Sequence, residues 1–276
     1  MLCINTLGGI KVVSYNVKGD VRTSRNNGIW TQSALRAKQV ALLNQAINSE
    51  GVEFIALQQS IVDTNSGAYP DISSTLTGGQ WRGIFNSNHK IKDDFDEASI
   101  YYDSSKWELT SSTTLGGYWK DDNDVRPYVM AYFKNKASDE LLLFASTHFP
   151  HVLNGHEPTV NWNITQFISD IKKVTNLSDA ELGSLRVIIA GDMNEIGQNH
   201  SFNDLPQLSK LFGQFSMVPV FLNTCCKNDN YSYTFDQVIT NKGEIKNARI
   251  LLNELYPLGT ASSDEEHKAI IVDVEN

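Results

Sequence analysis

An α/β fold is what this 276-residue sequence predicts, and three observations predict it. Several short apolar, β-branched runs stop abruptly at polar residues, as buried strands do when they deliver side chains to the mouth of a sheet. Two stretches carry apolar residues at the 3.6-residue period of a helix. Turn-rich segments lie between them, with no repeat and no linker.

The elements follow in order. Val12-Val13-Ser14-Tyr15-Asn16 is a strand ending in an amide. Thr31 to Asn48 reads as a helix with Leu35, Leu42, Leu43, Ala46 and Ile47 inward, closed near Gly51. Phe54-Ile55-Ala56-Leu57-Gln58-Gln59 is a strand ending in two amides, and Asp71 to Gly79 reads as a surface loop. Ile84-Phe85, Ala98 to Tyr102, Trp107 to Thr110, Val129 to Phe133 and Leu141 to Ser146 read as strands, the last running on to His148. Pro158 suits a helix start, and Val160, Ile164, Phe167, Ile168, Ile171 and Val174 form a core-facing stripe after it. Val187 to Ala190 is a strand that ends in Gly191-Asp192-Met193-Asn194. Tyr233 to Ile239 carries Asp236 in a strand-like run, and Ser262 to His267 precedes a final strand, Ala269 to Val274.

Bulk properties set bounds. The length and a hydrophobic content of 41% suit one enzyme-sized domain over residues 1–276 and exclude wholesale disorder. No segment approaches the ~20 apolar residues needed to span a bilayer. Met1 to Ile10 has no basic start followed by a long apolar core, so no secretory signal is visible, and the expectation is a soluble chain, cytoplasmic or exported by another route. A net charge of −9, without a Lys/Arg cluster, argues against a broad basic face for nucleic acid. Three cysteines make no framework; reduced thiols are expected, with Cys3 paired to Cys225 or Cys226 as the alternative. The four sequons, at Asn163, Asn176, Asn199 and Asn230, read as chance in a chain rich in Asn and Ser.

Taken in order, Asn16, Gln58-Gln59, His148, Gly191-Asp192-Met193-Asn194, Asp236 and Ser263-Asp264 with His267 resemble the endonuclease/exonuclease/phosphatase superfamily. Asp96 to Asp103 resembles its Glu-bearing strand and Val125 to Val129 its Arg-Pro segment, so the likeness runs from about Lys11 to Val274. It is closest to deoxyribonuclease I-like members and the active subunit of cytolethal distending toxins. The resemblance implies a four-layer sandwich of two mixed β-sheets flanked by α-helices. It also implies a phosphoesterase dependent on Mg²⁺, or Mn²⁺ in its place, acting as a monomer. His267 would be the general base, oriented by Asp236, and His148, backed by Glu97, would serve the leaving oxygen. Asp192 and Asn194 would position nucleophile and phosphate, and Arg126 would contact a phosphate oxygen. Asn16, Gln59 and Asp264 would hold the metal. His89, His151, His156 and His200 are left as structural.

Two departures bear on activity. The family's metal-binding glutamate is replaced by Gln59, which brings an amide oxygen and no charge, and two residues, Glu265 and Glu266, stand between Asp264 and His267. An active enzyme with a rebuilt metal site, a weakened enzyme and a phosphate-binding protein without catalysis are all open on that account. Nucleic acid is the first expected substrate. A phosphoinositide or sphingomyelin-type phospholipid headgroup is the alternative, with Gly116-Gly117-Tyr118-Trp119 as a loop suited to a lipid surface.

Overall fold

A computed structural model of the chain describes residues 9–18, 33–60, 62, 70–86, 97–110, 115–120, 125–149, 157–194, 206–219, 222–225, 232–251 and 267–276. The strands form two mixed sheets. β1 (Ile10–Asn16), β2 (Phe54–Gln58), β3 (Trp81–Phe85), β4 (Ala98–Asp103), β12 (Glu244–Ile250) and β13 (Ile270–Glu275) make a six-stranded sheet in the order β12-β13-β1-β2-β4-β3. β5 (Trp107–Leu109), β7 (Val125–Asn135), β8 (Leu141–His148), β9 (Arg186–Asp192), β10 (Ser216–Met217) and β11 (Asp236–Thr240) make the second, ordered β10-β11-β9-β8-β7-β5, with β6 (Leu115–Lys120) paired to β7. β1 and β2 are parallel, as are β8 and β9; their other neighbours run antiparallel.

Helix α1 (Ser33–Glu50) covers the outside of the first sheet, and α2 (Glu157–Thr175), α3 (Asp179–Leu182) and α4 (Pro206–Phe212) cover the second. This is the four-layer sandwich. Strand periodicity builds it: Val12 of β1 points between the sheets while Val13 and Tyr15 point toward α1. In β8, Leu142 and Phe144 face the other sheet and Leu143 and Ala145 face α2. Both faces of the central strands are dry, which is why they read as continuous apolar runs rather than alternating ones. Between the sheets Phe54 stacks on Phe144 with centroids 4.6 Å apart. Burying each such ring contributes roughly 1.5–3 kcal/mol.

Some expectations are corrected. Leu115–Lys120 is a strand, not a lipid-facing loop: Trp119 is 1% exposed, its Nε1 donates to Thr147 Oγ1 at 2.6 Å, and its ring packs on Phe149 and Phe167. The stretch from Asp71 is a surface loop as expected, pinned by buried Ile72 and Leu76 around a short turn and by Trp81 Nε1 donating to Thr77 O at 2.9 Å. The first helix carries a polar residue on its inner face, Gln39, whose Nε2 donates to Tyr15 Oη and Val17 O. Asn163 is buried on α2, in keeping with a chance sequon. Cys225 is disulfide-bonded where reduced thiols were expected. Cys3 and Cys226 lie outside the described residues. Among the described residues no helix is long and apolar enough to cross a membrane.

Candidate active site

The parallel strand pairs leave their carboxyl ends at one edge of the sandwich. β1 ends in Asn16, β2 in Gln58, with Gln59 next, β8 in His148 and β9 in Asp192. Antiparallel neighbours begin at the same edge: β11 with Asp236, β4 directly after Glu97, and β13 three residues after His267. Arg126 lies two residues before Tyr128, which pairs with Thr147. Register aligns the set, with Asp192 opposite both His148 and Asp236, and Asn16 opposite Gln58.

Gly191 is required by that alignment. A Cβ there would lie 1.8 Å from Thr147 O, so only glycine lets β8 and β9 approach this closely. Gly191→Ala is therefore expected to cost about 3 kcal/mol or more, because the clash is with backbone that cannot rotate away. Chemical denaturation checks this, and a loss below about 1 kcal/mol would be inconsistent with so close an approach.

Asp192 is the hub. Its Oδ2 lies 3.5 Å from His148 Nε2 and 3.5 Å from His267 Nε2, and it accepts Asn16 Nδ2 at 2.9 Å. Its Oδ1 accepts the Asn194 backbone N–H at 3.0 Å. His267 Nδ1 is 2.8 Å from Asp236 Oδ2, so a fully buried carboxylate fixes the ring. Asn194, at φ 48°, donates Nδ2 to Phe149 O at 2.5 Å and so ties the end of β8 to the turn after β9. Asn is among the few residues that tolerate that backbone conformation.

Charge follows geometry. Burial works against ionisation of Asp192, but the charges of His267 and His148 and the hydrogen bonds from Asn16 and Asn194 outweigh it and hold its pKa at about 2. Burial likewise works against the His267 imidazolium. The carboxylates of Asp236 and Asp192 more than offset this, with Lys18 opposing them, and the pKa is raised above the ordinary 6.5. The site thus holds a carboxylate that stays charged beside an imidazole that readily holds a proton.

The sequence-predicted residues Asn16, His148, Asp192, Asn194, Asp236 and His267 are therefore brought into one constellation. Glu97 is buried with Oε2 accepting the Val62 N–H at 2.6 Å, and Arg126 is buried in β7 opposite Trp119. Gln59 is 2% exposed at φ 55°. Asp264 and His151 lie outside the described residues. Two contacts were not foreseen: Cys225 Sγ lies 3.4 Å from His267 Nε2, and Thr224 Oγ1 accepts the Asp236 N–H at 3.1 Å. The only sequence signal there was a cysteine pair read for its pairing alone.

The expected metal set can be tested on these contacts. Asn16 gives its Nδ2 to Asp192 and its Oδ1 to the Lys18 N–H at 3.0 Å, and Gln59 is uncharged. Asp192, Asp236 and His267 have donor atoms within 4.8 Å of one another and could hold a metal ion, with two carboxylates against one imidazole. Two neutral amides match a hard dication poorly. Asn16 and Gln59, the described members of the expected set, therefore fit a tightly held Mg²⁺ poorly by themselves. A cavity of about 680 Å³ opens at the far end of the sandwich, beside Glu140, Leu141, Arg186 and Asn276, away from this chemistry. There Arg186 is taken up by Glu140 at 2.8 Å and by Val274 O at 2.9 Å, a strap between the sheets.

No family model and no curated protein sequence matches the chain. Solved structures do. An endonuclease/exonuclease/phosphatase protein from Bacteroides vulgatus superposes with a TM-score of 0.63 at 15% identity, covering 96% of this chain and 99% of that one. A mannosyl-6-phosphatase of Bacteroides thetaiotaomicron gives 0.59 at 16% identity, covering 96% and 98%. TDP2 of D. rerio, complexed with a single-strand DNA product, gives 0.58 at 14% identity, covering 95% and 97%. The resemblance first seen in scattered motifs thus extends over nearly the whole backbone, and the chain has the fold of the endonuclease/exonuclease/phosphatase superfamily.

Proposed function

We propose that this chain hydrolyses phosphate esters with His267 as general base. One observation carries the reading: two imidazole Nε2 atoms sit 3.5 Å from one oxygen of a buried carboxylate, and one of those rings is backed by a second carboxylate at 2.8 Å. His267 Nε2 takes a proton from water as the water oxygen bonds to phosphorus, and Asp236 holds the ring in the tautomer with Nε2 free to accept. His148 gives a proton to the ester oxygen as the P–O bond breaks, the role of backing it falling to Glu97 by the resemblance alone. Asp192 keeps the two rings apart and oriented, Asn194 ties the end of the strand that carries His148 to the turn after Asp192, and Arg126 offsets charge on the phosphate. A bound Mg²⁺ or Mn²⁺ would relieve further phosphate charge. Asn16 and Gln59 would offer it only amide oxygens.

A phosphodiester of nucleic acid is the first substrate to test, in line with the motif order. The charge of −9 favours a small phosphomonoester as the second reading. Plasmid nicking, run beside phosphate release from a hexose phosphate and from a phosphoinositide, separates the classes. Each is run with Mg²⁺, with Mn²⁺ and with chelator. Nicking alone supports the nuclease, phosphate release alone the phosphatase, and turnover in none leaves a binding protein.

The pH dependence has a fixed sign. His267 works as a base only when neutral, and its pKa is raised, so kcat/KM should climb with pH through a midpoint above 6.5. Asp236→Asn removes a charge that raises it. The midpoint should move to lower pH while the plateau falls by about tenfold or more. A midpoint that stays put or moves up would show that the titrating group is not His267.

A further inference from the structure

The residue before Cys225 touches both sheets at the mouth of the site. Asp236 opens β11 in the seven-stranded sheet, whereas His267 precedes β13 in the six-stranded one. Their 2.8 Å hydrogen bond is therefore only as good as the spacing between two separate sheets. Thr224 is fully buried between them. Its Oγ1 accepts the N–H of Asp236 at 3.1 Å, and its carbonyl accepts the N–H of Lys268, the neighbour of His267, at 2.8 Å. The segment is itself fixed: Thr224 N and Cys225 N both donate to Tyr233 O, at 2.8 and 2.9 Å, and Tyr233 N donates to Cys225 O at 2.6 Å. Cys225 Sγ, held in its disulfide, closes one side of the His267 ring at 3.4 Å.

We propose that Thr224 is a positioning residue for the Asp236–His267 dyad, its hydroxyl and its carbonyl fixing the two partners relative to each other across the sandwich. The proposal rests on the reading of His267 as the base. Asp192 and Lys18 also face His267, but they act on its charge; Thr224 acts on where the two backbones stand. Catalytic geometry is steep in distance, and a displacement of ~1 Å costs up to about a hundredfold in rate.

Thr224→Val keeps the shape and the carbonyl and deletes the hydroxyl; Thr224→Ser retains the hydroxyl. The valine variant is expected to lose about tenfold or more in kcat with KM changed less than about twofold, and the serine variant to stay close to the unaltered enzyme. The low-field proton resonance of His267 Nδ1–H should shift or broaden in the valine variant alone. A valine variant that merely melts earlier, with kcat and that resonance unmoved, overturns the proposal. Amide exchange on the unaltered protein decides independently of any variant: slow exchange at Asp236 and Lys268 is expected, and fast exchange at both overturns it. If no ester is hydrolysed but the resonance responds to valine and not to serine, the positioning role stands and the phosphoesterase reading falls.

Discussion

His267→Asn is expected to lower ester hydrolysis by about 10²–10⁴-fold, the usual contribution of a positioned general base. Asparagine is the informative replacement because its amide nitrogen can still donate to Asp236, from about the position of Nδ1. Alanine would leave the buried Asp236 carboxylate without its partner, and the loss of a buried partner costs roughly 3–5 kcal/mol. A fall in stability would then be mixed with a fall in rate. With asparagine the contact to Asp236 is kept and the outer ring atoms, Cε1 and Nε2, are lost. The drop should fall on kcat, with KM little changed, because water activation belongs to the transition state and not to substrate binding. Single-turnover kinetics on whichever ester proves to be the substrate provides the measurement. A variant retaining more than about a tenth of the rate would remove His267 from the chemistry.

Gln59→Glu is the second large effect, and its sign depends on metal. Position 59 is 2% exposed, so a carboxylate there has little water to stabilise it. Without metal the variant should melt several degrees lower, by about 1–3 kcal/mol, or hold its new carboxyl protonated. Mg²⁺ should reverse that loss, since a ligand bound only by the folded state stabilises it by mass action. The Mg²⁺ dissociation constant, read by calorimetry without substrate, should tighten about tenfold or more, because a full charge replaces a dipole at the ligand oxygen. Unchanged Mg²⁺ affinity would mean that position 59 does not face the metal. Tighter binding without a rise in activity would mean that charge relief is not what limits turnover.

The contrast between the two variants tracks what each residue shows in sequence. His267 is legible because a polar run before a terminal strand, ordered after Asp236 and the Gly191-Asp192 turn, matches a known pattern. Gln59 is legible as a departure from the same pattern. Trp119 was misread, since Gly-Gly before two aromatics looks like a turn. Only tertiary packing shows that the indole is needed to fill space above α2 and to donate to Thr147. Thr224 carried no signal, because its effect passes through hydrogen bonds to Asp236 and Lys268, one of them from its own carbonyl, which is the same for every residue type.

The sequence by itself determined most of the strands, though not Leu115–Lys120, Ser216–Met217 or Glu244–Ile250, together with the two long helices and the order in which chemistry-bearing residues arrive at strand ends, because hydrophobic periodicity and abrupt polar stops are local properties of the chain. Tertiary structure alone decided that Asp192 stands between two imidazoles and that the Asp236–His267 pair bridges two sheets. It also decided that Thr224 and the Cys225 sulfur close around that pair. Those facts depend on the register and spacing of strands far apart in sequence, and on charges that stabilise one another only once folding has brought them together.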